Sequence, residues 1–389
     1  MRFFSILASF AVLSTVLASP ATLKPIERYR GQVVDGSYIV TLRKGVDKKA
    51  LVKSLGLKLT HDWHRSVNGF AGKFSDETLK ALRASDAVDT VAEDGMVYAW
   101  ASQTDAPWGL ARISTKNKLA HSDVTSLNNT YDYSDSAGEG VDVYVIDTGV
   151  YVDHSEFEGR ARWGKTFGKN ADKDGHGHGT HCAGTIAGKK YGVAKAANII
   201  AVKVLSDSGS GTTADVVSGM LYALDSANAS GRPSVVSMSL GGSGTRAIDA
   251  AGQALTEGGV HLVVAAGNDN RDAKNYSPAR VESAITVGAA NINDARSSFS
   301  NYGSVVDIFA PGEKVISSWI GSTSATNSIS GTSMATPHVA GLVAYLISVH
   351  GNKSPKEISD LLKSLAATDK LSSIPKGTAN ALAHNGIHD

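Results

Sequence analysis

The chain has 389 residues, 42% of them hydrophobic and 19% charged, so a large core is available and a disordered chain is excluded as the default. Its formal charge is only +1, with 38 Lys and Arg against 37 Asp and Glu, and no basic stripe or charge block points to a nucleic-acid partner. The single cysteine, Cys182, excludes any intrachain disulfide.

Residues 1–19 hold one cation, an apolar run and a Val-Leu-Ala ending. That pattern predicts a secretory signal over residues 1–18, removed on export, because the run is short for a membrane span. No other segment reads as a bilayer crossing, so no membrane partner is expected once the signal is gone. One signal serves the extracellular medium, the preferred destination, and a vacuole-like compartment alike. Sequons at Asn128, Asn228, Asn275 and Asn352 suit a secretory route as glycosylation candidates.

Residues 20–100 carry 13 Lys and Arg against 10 Asp and Glu, and residues 101–389 carry 24 against 27, a weak complementarity between two parts of the chain. Residues 37–100 predict the order strand, helix, strand, strand, helix, strand. Ser37–Leu42 alternates, 47–55 has helical spacing, 67–74 is extended, and 76–84 opens on acids and repeats Leu79 and Leu82. This is a small α+β unit within a predicted segment 19–100.

From residue 140 onward, apolar runs at 141–146, 199–205, 235–240, 260–266, 284–287 and 305–309 alternate with helical stretches. The runs are hydrophobic on both faces, as parallel strands buried between helices must be. Helices are predicted over 214–228, with Val217, Leu221 and Leu224 as its apolar stripe, and over 246–257. An α/β fold follows, with a central parallel sheet and its site in the loops at the strand carboxyl ends.

Three motifs carry chemistry. Val-Ile-Asp-Thr-Gly places Asp147 at a strand end, His-Gly-Thr-His-Cys-Ala-Gly opens a small-residue helix with His178, and Ser-Gly-Thr-Ser-Met-Ala-Thr-Pro-His places Ser333 at the mouth of an apolar helix, with Pro337 expected in its first turn. A serine hydroxyl is a weak nucleophile at neutral pH. It needs a base within hydrogen-bond reach, and the base needs an orienting carboxylate. Ser333, His178 and Asp147 fill these roles, with free helix N–H groups available to an oxyanion.

The order Asp, His, Ser is that of subtilisin. From Ala101 to about Ala383 the chain resembles the subtilisin superfamily, specifically its proteinase K branch. The resemblance implies a serine endopeptidase acting on proteins and peptides through an acyl-enzyme, needing no cofactor for catalysis and acting as a monomer at neutral to alkaline pH. It implies a subtilisin-like peptidase domain over 101–389. Residues 19–100, with Val-Asn-Gly-Phe-Ala-Gly-Lys-Phe, resemble the ferredoxin-like inhibitory prodomain that precedes many subtilisins, making the chain's own prodomain an intramolecular partner.

Further site residues follow from the same resemblance. Asn268 would supply an oxyanion-hole amide. Substrate would lie as an added strand on Gly209, Ser210 and Gly211 and on Ser239, Leu240, Gly241 and Gly242, with Ala265 to Gly267 walling the S1 pocket. Ala101 onward resembles a mature amino terminus, so processing is expected between Trp100 and Ala101; self-cleavage there would make S1 a large apolar pocket. Structural calcium is implied at Asp307 with the carbonyls of Pro278 and Arg280.

Two rival readings remain chemically possible. His176, His178 and His181 beside Asp172 and Asp174 raise zinc, although the spacing matches no zinc pattern. Cys182, one helical turn beyond His178, raises a thiol nucleophile, against which stands a simple buried cysteine.

Overall fold

A computed structural model describes residues 23–29, 33–97 and 100–387. The predicted signal at 1–18 lies outside the described residues. The chain divides into two compact units, Met1–Val97 and Tyr98–Asp389.

The first unit contains β1 (Ile26–Glu27), β2 (Val33–Leu42), α1 (Lys48–Ser54), β3 (His61–Trp63), β4 (Gly69–Lys73), α2 (Asp76–Ala84) and β5 (Val88–Gly95). The sheet order β1-β5-β2-β4-β3, antiparallel apart from the β1–β5 edge, is the ferredoxin-like arrangement the sequence predicts. Helix α2 begins where Ser75 caps the Thr78 amide, with Asp76 and Glu77 in its first turn. Its Leu79 and Leu82 complete a core with Val40, Phe70, Val88 and Val91.

The second unit opens with β6 (Trp100–Ala106), α3 (Trp108–Ile113), β7 (Asn129–Ser134), β8 (Asp142–Asp147) and β9 (Ala161–Thr166). It continues through α4 (His178–Ala187), β10 (Asn198–Lys203), α5 (Thr213–Ser230), β11 (Ser234–Met238), β12 (Gly242–Ser243) and α6 (Arg246–Glu257). Next come β13 (His261–Ala265), β14 (Tyr276–Ser277), β15 (Ile285–Ala290), β16 (Ile308–Pro311), β17 (Val315–Ser318) and β18 (Thr326–Ile329). The chain finishes with α7 (Thr332–His350), α8 (Pro355–Leu365), β19 (Ala367–Thr368) and β20 (Ala381–Leu382).

Nine strands form the central sheet in the order β19-β20-β16-β15-β13-β11-β8-β10-β9, parallel except at the β19–β20 edge. Strand β8 shows why these segments read as apolar throughout. Val143 and Val145 join a core that includes residues of α4 and α7, while Tyr144 and Ile146 join the opposite core with residues of α5 and α6. From β8 the chain runs to β10 on one side and to β11 on the other. Its carboxyl end, at Asp147, is therefore the topological switch point where α/β sheets place their sites.

Two helices depart from expectation. The buried face of α5 is Val216, Gly219, Met220, Ala223 and Ala227, whereas Leu221 from the predicted stripe is 42% exposed. The small residues win because the helix lies close to the sheet: a Cβ on Gly219 would stand 2.4 Å from Val204 Cγ1. Helix α7 is the other case. It is long and apolar enough to cross a bilayer, contrary to the sequence expectation, but almost all of it is buried in the core. Leu342, Val343 and Leu346 are fully enclosed there, each contributing roughly 1.5–3 kcal/mol by burial.

Candidate active site

Asp147 ends β8 with no exposed surface, and both its carboxylate oxygens face His178 Nδ1, at 2.8 and 3.0 Å. Helix α4 brings the imidazole there. Its N-cap is Gly177 at φ +100, a left-handed position that suits glycine, and Gly179 lets the first turn press onto the strand end, where a Cβ would stand 2.1 Å from the Gly149 carbonyl. Burial pushes the His178 imidazole pKa down. The charge and hydrogen bond of Asp147, and then the charge of Asp174, more than offset this and hold it above the usual value.

Ser333 is the second residue of α7, so its N–H is one of the amides a helix leaves without an internal acceptor. Pro337 sits one turn further in than the sequence expectation, as the sixth helical residue. There it has no N–H to donate to the Ser333 carbonyl. That freed carbonyl instead accepts from Ser239 Oγ at 2.8 Å and Cys182 Sγ at 3.4 Å. The Ser333 hydroxyl in turn donates to the Ser239 carbonyl at 3.1 Å. Ser239 thus grips the serine at both ends, and its carbonyl is the kind of strand-edge acceptor that a substrate backbone would occupy.

Asn268 is oriented by a residue the sequence reading overlooked. The Thr332 amide and hydroxyl donate to its Oδ1 at 2.8 and 3.0 Å, which leaves the NH2 of Asn268 to face elsewhere. A Cβ on Gly331 would stand 3.5 Å from both Asn268 Nδ2 and the Ser333 amide nitrogen. The two donors therefore flank one small space that glycine keeps open.

An open groove of about 520 Å³ is lined by His178, Gly209, Ser210, Gly211, Ser239 and Leu240. An adjoining pocket of about 290 Å³ shares Leu240, Gly241 and Gly242 and adds Ala265, Gly267, Asn268 and Ser333. Every predicted substrate-binding residue thus borders one continuous depression. His176, one of the histidines that raised zinc, is half-buried in its wall, with its ring 6.2 Å from that of His178.

Trp100 and Ala101 are placed elsewhere. Both belong to β6, opposite Ser134 and Tyr133 of β7. The Ser134 amide donates to the Tyr345 hydroxyl, and Tyr345 lies twelve residues beyond Ser333 in α7, about 18 Å along the helix axis.

The rival chemistries find no support in the geometry. His181 is fully buried, donates to the Val315 carbonyl through Nε2, and has its imidazole pKa pushed down to about 3 by burial. Asp174 spends its oxygens on backbone amides and threonine hydroxyls. Among the described residues one trio of metal-capable side chains converges, Asp147, His178 and Cys182, and its carboxylate already holds the imidazole. Burial raises the Cys182 thiol pKa well above the ordinary value, which removes its thiolate as a nucleophile.

The residues expected to hold calcium are linked through Thr286. Its amide donates to Asp307 Oδ2 at 2.9 Å and its hydroxyl to the Ala279 carbonyl, between Pro278 and Arg280, at 2.7 Å. Burial lifts the Asp307 carboxyl pKa despite the Thr286 amide and Lys363. Asn128, Asn228, Asn275 and Asn352 are all exposed, while Ser277 of the Asn275 sequon is fully buried.

Comparison with known proteins agrees with this geometry. The subtilase family model matches residues 138–385, and the peptidase inhibitor I9 model matches residues 37–99. A cuticle-degrading protease of Metarhizium anisopliae is 46% identical over 393 residues, covering 97% of this chain and 99% of the relative. Alkaline protease 2 of Aspergillus fumigatus is 48% identical over 356 residues, covering 85% of this chain and 71% of the relative. The crystal structure of a cold adapted subtilisin-like serine proteinase superposes with a TM-score of 0.66 at 45% identity, covering 72% of this chain and 98% of that one. The chain belongs to the subtilase family of serine proteases and carries an inhibitor I9 prodomain ahead of its peptidase domain.

Proposed function

We propose that Ser333, His178 and Asp147 are the nucleophile, base and orienting acid of a secreted endopeptidase, with Asn268 Nδ2 and the Ser333 amide as the oxyanion hole. The observation that carries this reading is the buried Asp147 holding His178 Nδ1 in a groove whose adjoining pocket is lined by Ser333 and Asn268. A substrate strand docking on the Ser239 to Gly242 edge takes over the Ser239 carbonyl, and the released hydroxyl turns to His178 Nε2. The Ser333 oxygen attacks the scissile carbonyl as its proton passes to Nε2, and Asp147 stabilises the resulting imidazolium. Negative charge on the carbonyl oxygen is met by the two N–H donors. His178 then protonates the leaving amine, and water reverses the sequence on the acyl-enzyme.

The S1 wall supports a preference for large apolar side chains. Gly241, Gly242, Ala265, Gly267 and Ala279 are all small, so space beside Ser333 is left for the substrate. Self-cleavage before Ala101 would place the Trp100 side chain in that pocket. Because β6 holds that bond in a strand pair remote from Ser333, the segment must form that pairing only after the cut. The predicted signal and the names of the relatives, one of which degrades cuticle, favour an extracellular destination for the enzyme.

Reagents separate a serine from a cysteine enzyme. Phenylmethylsulfonyl fluoride is expected to abolish activity and label Ser333, while iodoacetamide leaves activity intact because Cys182 is wholly buried. Inactivation by iodoacetamide with resistance to the sulfonyl fluoride would overturn the assignment.

Calcium is proposed as a structural ion at Asp307 with the Pro278 and Arg280 carbonyls. The part-buried Asp307 carboxylate, paired on one side with Lys363, is a hard oxygen ligand of the kind that calcium takes, as backbone carbonyls are. Chelator is expected to lower the melting temperature of the wild type but not of Asp307→Asn; an equal response of both proteins would remove the site.

A further inference from the structure

The carboxylate of Asp174 stands outside the proposed triad yet touches both segments that carry it. Asp174 is 8% exposed and accepts five hydrogen bonds. Oδ1 receives the Thr148 hydroxyl at 2.9 Å and the amides of His176 and Gly177 at 3.0 and 2.8 Å. Oδ2 receives the Thr180 amide at 3.0 Å and the Thr180 hydroxyl at 2.6 Å. Thr148 follows Asp147 directly, and its hydroxyl also accepts from the Gly179 amide at 3.0 Å. One buried carboxylate therefore ties the end of β8 to the first turn of α4, the two places that fix Asp147 and His178.

We propose that Asp174 is a positioning residue for the proteolytic reaction, setting the separation between Asp147 and His178 through Thr148 and the amides of residues 176, 177 and 180. This rests on the triad reading above. Three physical arguments carry it. Gly177 and Gly179 give the backbone before and after His178 no side chain with which to fix itself, so the restraint must come from outside the turn. A carboxylate at a helix amino terminus is favoured by the unpaired amides and the dipole there. Relays are also steep in distance, a displacement of about 1 Å costing roughly 10²-fold in rate.

The same carboxylate acts on His178 electrostatically. The titratable groups around the imidazole are Asp147 from β8, Asp174 and His176 from the preceding loop, and Cys182 and His181 from α4. Of these, Asp147 and then Asp174 hold the imidazole pKa up against burial. Removing the Asp174 charge must therefore lower it, and the acid limb of the kcat/KM profile, which marks protonation of the free base, must move to lower pH.

The test uses the full chain with its prodomain. Mature Asp174→Asn and Thr148→Val enzymes are counted by sulfonyl fluoride titration and assayed on a chromogenic peptide. Asp174→Asn is expected to lower kcat by about 10²-fold with KM within about threefold of wild type, and to shift the acid limb downward. Thr148→Val keeps the charge but cuts the bridge, so kcat falls by at least about tenfold while the acid limb stays in place. A merely structural role would lower the melting temperature and leave kcat per titrated site and the pH profile alone, and that result overturns the proposal. Should Asp174→Asn fail to accumulate, wild-type kcat in Thr148→Val is sufficient to overturn it. With Ser333→Ala inactive, full activity of Asp174→Asn sinks the positioning role alone; activity retained in Ser333→Ala sinks the triad itself.

Discussion

Ser333→Ala is expected to lower turnover on casein by about 10⁶-fold, the scale found on removing the same serine from a subtilisin, a member of this family. The reason is that the other groups have nothing to activate once the hydroxyl is gone: His178 can still take a proton and the two amides can still polarise a carbonyl, but no acyl-enzyme forms. A residual acceleration of about 10³ to 10⁴ over water is left to binding and the oxyanion hole. The fold should barely respond. The deleted oxygen makes a single hydrogen bond, to the Ser239 carbonyl, worth about 1 kcal/mol. An unchanged melting temperature beside lost activity therefore reads as chemistry. If the chain cuts itself, the variant also stays joined between Trp100 and Ala101, which mass spectrometry of the purified protein decides. Casein hydrolysis at a tenth of the wild-type rate would exclude Ser333 as the nucleophile.

The placement of Asp147, His178 and Ser333 was legible because each of the three motifs combines a reactive side chain with the local signal that positions it. Asp147 ends an apolar strand, His178 opens a helix directly after Gly177, and Ser333 is the second residue of a helix capped by Gly331. The parallel sheet was legible for a related reason, since strands such as β8 bury both faces and carry no polar alternation. What escaped was set by proximity between distant parts of the chain. The buried stripe of α5 falls on Gly219 and Ala223 because the sheet lies too close for leucine, and no periodicity within the helix says so. His176 sits in the groove wall because residues 206–211 fold against it, with a Cβ on Gly209 only 3.1 Å from its Nε2. The inward position of Pro337 could be counted from the motif once the helix start at Thr332 was known. Its consequence, a serine carbonyl handed to Ser239 and Cys182, required the fold.

Asp147→Asn should lower kcat by about 10⁴-fold, as removal of the triad carboxylate does in serine proteases. The substitution preserves size in a site with no exposed surface, so packing survives. What changes is the partner offered to His178 Nδ1. An amide can present its NH2 to that nitrogen, which favours the tautomer with the proton on Nε2, the wrong nitrogen for accepting the Ser333 proton. The imidazolium also loses its nearest counter-charge. The sign of the pH effect follows from the same balance. In the wild type, burial pushes the His178 pKa down and Asp147 is the largest of the influences that raise it above the ordinary value. Without that charge, burial prevails and the pKa falls, so the acid limb of kcat/KM moves to lower pH even as the plateau drops. A mutation that merely loosened the fold would lower the plateau and the melting temperature together without moving the limb. A plateau within tenfold of wild type, or a limb displaced to higher pH, would mean that Asp147 does not serve His178 in the reaction.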